Sequence, residues 1–220
     1  MERVFTTPLR SPAGENVLYA DIPYILLGLV AERVSGQPLD ALADTVLFHP
    51  LHMSHTSFYP ERLRSNDIAP TEHTDQEEIV GKAHDEKARI LHEEGLITGH
   101  AGLFSIVEDL LTYCHMILNK GVWEGKQYLT PRTIRLMQTE VARGNDLGFS
   151  LGWTTHASYM EPGLPKGIFS KSGFTGTLIV ISPDTHCALV LLTNRTYPNR
   201  PHTPAAINGM RRELINLVFS

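Results

Sequence analysis

Lys171, Ser172 and Gly173 stand side by side inside the run 168–182, Ile-Phe-Ser-Lys-Ser-Gly-Phe-Thr-Gly-Thr-Leu-Ile-Val-Ile-Ser. A cation, a hydroxyl and a glycine on a strand suit one wall of a ligand groove. Lys171 offers positive charge, Ser172 a hydrogen bond, and Gly173 room for a ligand to lie against the backbone. A second candidate is Tyr19-Ala20-Asp21, directly before the first strongly apolar segment. A phenol in a loop near a helix N-terminus sits where partial positive charge favours an anion, and tyrosine with a cation nearby can act as a general acid or base. The plainer reading is that Asp21 caps the helix and Tyr19 packs. Both stay open on these residues alone.

Other polar groups invite chemistry less strongly. Gly148-Phe-Ser150-Leu-Gly152 spells G-x-S-x-G, but a nucleophile elbow needs a strand, a sharp turn and then a helix. Here Trp153-Thr-Thr continues in a strand pattern, so Ser150 reads as a strand residue. Glu93-Glu94 and His84-Asp85 read as a solvated polar segment, and His100, between Gly99 and Ala101, reads as a turn residue that could border a groove. The eleven histidines show no metal-site spacing such as H-E-x-x-H, so neither a metal nor a cofactor is expected.

The elements that must position these residues follow from pattern. Asp21 and Pro23 before an apolar run predict a helix over 21–34, stopped by Ser35-Gly36. A short helix is predicted over 38–48, before Pro50. Residues 56–99 are polar and punctuated, an irregular excursion with short helical pieces. Ser105-Ile-Val-Glu108 fits a capping box for a helix to about Asn119, and Thr130-Pro131 opens another to about Glu140. Strands are predicted over 147–154, 167–171, 175–182 and 187–194, with Pro183-Asp184 as a hairpin turn and Thr203 capping a last helix through Val218. Helices first, an antiparallel strand block, then a closing helix is an α+β order.

Composition sets the outer limits. The 220 residues can bury a sizeable core, 42% are hydrophobic, and the formal charge of -5 gives no bias toward nucleic acid or anionic membrane. Cys114 and Cys187 read as free thiols, with no C-x-x-C pattern. The first residues lack the apolar core of a signal peptide, and no apolar run reaches the ~18 residues of a membrane span. A soluble chain is expected; compartment is not indicated.

Several blocks together resemble one family. Tyr19-Ala-Asp-Ile-Pro-Tyr-Ile-Leu-Leu-Gly28, Glu32-Arg-Val-Ser-Gly36, Phe48-His-Pro-Leu-His-Met-Ser-His-Thr-Ser-Phe58, Gly99-His-Ala-Gly-Leu-Phe-Ser105 and Lys171-Ser-Gly-Phe-Thr-Gly-Thr177 follow, in order, the text of the serine β-lactamase-related family. That family holds class C β-lactamases, D-alanyl-D-alanine carboxypeptidases and related esterases. The resemblance implies an antiparallel sheet flanked by helices, of the β-lactamase/penicillin-binding-protein (transpeptidase-like) type. It also implies acyl transfer through a serine acyl-enzyme on a small-molecule or peptide substrate. Tyr19 would shuttle protons, and Lys171 would keep it reactive and attract a substrate carboxylate. Asp21, where many members have asparagine, would contact substrate. Ser172 would hydrogen-bond it beside Gly173, and the Phe174 N–H would be one oxyanion donor. Lysine in place of the histidine common in esterase-like members leans toward substrates bearing a carboxylate.

One part of the pattern is absent. The family's nucleophile lies in Ser-x-x-Lys upstream of the tyrosine, and no serine here has lysine three positions on. Residues 1–220 are therefore expected to be a single, incomplete, N-terminally truncated domain, mainly helical over about 22–145, with strands and a closing helix over 146–220. Such a chain is expected to be inactive alone and to associate through the face its missing part leaves exposed. The alternatives are a non-catalytic module that binds a ligand or partner, and a gene fragment without selected function.

Overall fold

The computed structural model describes residues 2–62, 68–74, 77–201 and 203–219. A short helix α1 (Glu2–Thr6) precedes α2 (Asp21–Ser35), whose start is defined by an extended Ala20 and whose end is closed at Gly36. Asp21 is thus not the cap predicted for it. It occupies the first turn, where a carboxylate complements the helix dipole without any side-chain cap bond. The short helix predicted next is present as α3 (Leu39–Ala43), running on into a π-helical turn, Asp44–Phe48. Glu32 ties the two helices, accepting from the Leu39 N–H at 2.8 Å.

The polar excursion holds a 3₁₀ turn (Pro60–Arg62), a two-stranded ladder of β1 (Glu72–His73) and β2 (Glu78–Ile79), and α4 (Glu86–Glu93). Asp85 caps α4 through the Ala88 N–H at 2.9 Å. Helix α5 (Val107–Leu118) begins after Ile106, so the capping box is not formed; the Ser105 hydroxyl bonds Thr56 instead, at 2.7 Å. A small hairpin, β3 (Val122–Trp123) with β4 (Lys126–Gln127), leads to α6 (Pro131–Gln138), which Thr130 does cap.

Strands β5 (Ala142–Gly144), β6 (Leu147–Phe149), β7 (Thr154–His156), β8 (Phe169–Ser172), β9 (Leu178–Ser182) and β10 (Cys187–Leu191) form one antiparallel meander in the order β10-β9-β8-β7-β6-β5. The segment predicted as one strand over 147–154 is two strands joined by a turn at Ser150. Strand β5 went unpredicted. Helix α7 (Ala205–Phe219) closes the described chain, starting two residues beyond Thr203.

Period-two alternation sorts the sheet's faces. Phe169 and Ile181 pack with Cys114, Met116, Ile117, Trp153, Phe48 and Leu51 on the side covered by α5. Leu178 and Val180 pack with Tyr159, Ile215 and Phe219 on the side covered by α7. Both cysteines are free, Cys114 buried and Cys187 only partly so. Lys171 shares its face with Phe169, two residues back, so it projects toward the helical half and the start of α2. Among the described residues no helix is long and apolar enough to cross a membrane.

Candidate active site

Strand β8 carries the first wall. Its ladder with β9 pairs Lys171 with Ile179 and Ser172 with Leu178, which fixes the lysine's height along the sheet. Past Ser172 the chain turns: the Gly173 N–H donates to Thr177 O at 2.8 Å and its carbonyl accepts from the Gly176 N–H at 3.2 Å. A side chain on Gly173 would have to displace the Thr177 hydroxyl, so glycine leaves this mouth of the hairpin open. The turn is braced from below by Arg211 of α7, a buried guanidinium that donates to the carbonyls of Gly173 (2.8 Å) and Thr177 (3.0 Å). Burial lowers the Arg211 guanidinium from its ordinary value, against the raising influence of Tyr159. Among the described residues, no acceptor takes the Phe174 N–H and no partner takes the Ser172 hydroxyl.

The second wall is the entry to α2. Lys171 Nζ donates to the Tyr24 hydroxyl at 2.8 Å, 4.2 Å from that ring's centroid and 5.1 Å from the centroid of Tyr19. Tyr19 stacks on Phe149 at 6.2 Å and tilts against Tyr24 at 5.8 Å. The structure thus brings the Tyr19 and Tyr24 rings against the Lys171 ammonium, although Tyr19 and Lys171 stand 152 positions apart in sequence. Sequence reasoning missed Tyr24: its position within an apolar helical run reads as packing, and only the fold brings it to Lys171.

Asp21 is engaged by the Lys87 ammonium of α4, with which it forms a hydrogen-bonded ion pair. This pair is part of a larger polar seam. His100, its side chain 2% exposed, bonds Asp85 through Nε2 at 3.0 Å and Thr98 through Nδ1 at 2.9 Å. Burial pushes the Asp85 carboxyl up, but the Ala88 N–H, His100 and Lys87 together hold it below its usual value. Ligand atoms of Asp21, Asp85 and His100 lie within 4.8 Å of one another, a spacing a metal ion could span. Lys87 already supplies the positive charge at Asp21, so the group is satisfied as an ion-pair network.

His84 and Asp85 are accordingly not the solvated segment predicted for them. His84 is buried, stacks on Phe174 at 5.5 Å and sits 3.0 Å from Glu72. Burial, then the neighbouring Arg200, lowers the His84 pKa against the pull of Glu72 and Glu86. Arg200 bridges Glu72 (3.2 Å) and Glu86 (2.8 Å). Arg195 also lies over the Phe174 ring, 4.7 Å from its centroid, and donates to the Phe174 carbonyl at 2.7 Å. Phe174 is thereby fixed at the groove's rim while 57% exposed. Ser150 is buried and gives its hydroxyl to the Met137 carbonyl at 2.5 Å, which leaves it neither exposed nor on an elbow. Glu93 and Glu94, at the end of α4, are exposed.

Helices packed on an antiparallel sheet are the fold shared with penicillin-binding-protein homologues. The pyrococcal structure described as an octameric penicillin-binding protein homologue from Pyrococcus abyssi superposes over 93% of this chain and 43% of its own, with a TM-score of 0.63 at 22% identity. Simvastatin synthase from Aspergillus terreus superposes over 90% of this chain and 54% of its own, with a TM-score of 0.65 at 15% identity. The family model described as Beta-lactamase matches residues 1–211, and the chain belongs to that family. A curated relative from Escherichia coli O157:H7, carrying the provisional name D-alanyl-D-alanine carboxypeptidase, is 32% identical over 94% of this chain and 50% of its own length. The chain spans about half the length of the curated relatives it matches.

Proposed function

We propose that these residues form the tyrosine- and lysine-bearing part of a serine hydrolase that cleaves an ester or amide bond through an acyl-enzyme. The substrate class is a β-lactam, a D-Ala-D-Ala peptide or a simple ester. The observation that carries this reading is Lys171, placed against two phenols beside an unclaimed N–H and an unclaimed hydroxyl on the same strand mouth.

Mechanistically, Tyr19 moves a proton between the attacking serine and the leaving group. Lys171 supplies a fixed positive field for the phenol and for a substrate carboxylate, and the Phe174 N–H stabilises the developing oxyanion. Ser172 and Asp21 orient the substrate, with Asp21 tempered by Lys87. No serine in these residues has the Ser-x-x-Lys context, so the reading requires the nucleophile from a segment outside them. Two surfaces suit such a segment: the outer edge of β10, and a stripe on α2 formed by Leu27, Val30 and Val34, all more than half exposed.

The experiment is labelling with a fluorescent penicillin and a fluorophosphonate. The expected result is no stoichiometric labelling of these 220 residues, with labelling gained when an in-frame upstream segment containing Ser-x-x-Lys is included. Labelling of any serine within the 220 residues would overturn the reading. Binding of a D-Ala-D-Ala peptide without turnover even in the extended protein would point to a binding module instead.

A further inference from the structure

Lysine ends in a compact ammonium on a flexible four-carbon stem, so a lysine facing a groove does not by itself hold its charge at one point. Its electrostatic influence on a phenol or a carboxylate falls off with distance, which makes placement of the ammonium decisive. Here the placing bond goes to Tyr24 rather than Tyr19: Nζ lies 2.8 Å from the Tyr24 hydroxyl.

Tyr24 is itself held rigidly. It lies in the first turn of α2, whose backbone is pressed against the turn at Gly99. A Cβ built on Gly99 would come 2.6 Å from the Tyr24 carbonyl oxygen, and one on Gly28 would come 3.1 Å from the Gly99 nitrogen. Glycine at both positions permits a backbone approach that no other residue allows without a shift. The turn at Gly99 is anchored in turn by buried His100 through Asp85 and Thr98. Lys87, two residues past Asp85, closes the ring on Asp21 at the start of α2.

From this chain of contacts we infer that Tyr24 is a positioning residue, which fixes the Lys171 ammonium between Tyr19 and the ligand groove. One ammonium N–H is committed to Tyr24, leaving two donors for the Tyr19 side and an anionic ligand. The Gly99–His100–Asp85 turn acts behind it, holding Tyr24 at the height that β8 gives Lys171. The functional part of this inference rests on the hydrolase reading above; the placement of the ammonium does not.

The test uses the 220-residue chain with nitrogen-15-labelled lysines and has two arms. In the first, the Lys171 ammonium signal is identified by its loss in Lys171→Met. It is expected to exchange slowly at mildly acidic pH in the cold, to persist in Tyr19→Phe, and to vanish into fast exchange in Tyr24→Phe. Persistence in Tyr24→Phe overturns the inference. In the second arm, an N-acetylated D-Ala-D-Ala peptide is titrated. Tyr24→Phe is expected to weaken binding about tenfold, the size of one charge-assisted hydrogen bond, and Tyr24→Leu no less. If Tyr24 only packs, Tyr24→Phe matches the unmodified chain and Tyr24→Leu alone falls, which also overturns the inference. Absence of peptide binding in the unmodified chain counts against the hydrolase reading, while the ammonium signal still decides the role of Tyr24.

Discussion

The two walls of the groove are held together by different forces. The β8 wall is a ladder: Phe169, Ser170, Lys171 and Ser172 each have a registered partner on β9, and Phe169 and Ile181 are fully buried beneath them. Behind the α2 wall stands a seam, residues 71–74 and 77–100 with Arg200, assembled from side-chain polar contacts. Its members are Glu72, His84, Asp85, Glu86, Lys87 and His100, in pairs that cross between short elements. Backbone ladders over an apolar core respond little to pH and salt, whereas ion pairs respond to both. The ladder therefore holds the backbone of Lys171 still, and the polar seam can loosen without unfolding the sheet.

The largest test of this contrast is Phe169→Ala. Removing a fully buried ring under β8 should cost roughly 3–5 kcal/mol and lower the thermal midpoint of the whole molecule. Loss confined to residues 71–100 in hydrogen exchange would break the assignment of Phe169 to the common core.

A middle-sized effect comes from pH. His84 has a folded pKa below its ordinary 6.5, because burial and then Arg200 disfavour its charged form more than Glu72 and Glu86 favour it. The unfolded chain therefore binds the proton more readily. The His84 contribution is complete above the unfolded value and is lost as pH falls from there through the lower folded value. A single such group changes stability by at most ~1.4 kcal/mol per pH unit. Denaturant midpoints measured between neutral and mildly acidic pH should fall, and His84→Gln should flatten that slope. An unchanged slope in the variant would place the acid sensitivity elsewhere. Asp85, whose carboxyl is held low, gives the same sign in a lower window, since its contribution is present above the unfolded carboxylate value and lost on acidification through the folded one.

The smallest effect is Arg200→Ala. Its guanidinium is 38% exposed, so solvent screening limits the global cost to about 1 kcal/mol or less. The change should nevertheless speed amide exchange over 71–95 and leave β8–β10 as they were. Faster exchange in β8 as well would show that the two walls are one cooperative unit.

Much of the frame was legible in the residues. The alternation over 178–191 with Pro183-Asp184 between its halves identifies β9 and β10, and Thr130-Pro131 marks α6, because those signals act within a few residues. Strand β5 was not legible: Ala-Arg-Gly has little strand preference of its own and is extended because β6 lies beside it. The Ser105 capping box failed for a related reason, since Thr56 offers the hydroxyl a partner from 49 residues away. At the site, Tyr19 and Lys171 could be named from their motifs, while Tyr24 reads as packing, His84-Asp85 as a solvated segment and His100 as a turn residue. The cross-element partners that give them roles stand 12 to 147 positions away, from the His84–Glu72 pair to the Tyr24–Lys171 bond.

By itself the sequence determined the α+β order, the family, and the candidate pair of a tyrosine before a helix and a lysine on a strand. Those properties rest on local pattern and residue type, which a linear text carries in full. Only the tertiary structure decided which phenol receives the Lys171 hydrogen bond, and that a partly buried histidine–aspartate pair stands behind it. Side-chain hydrogen bonds are set by ångström-scale distances between elements, and those distances exist only once the helical layer has closed on the sheet.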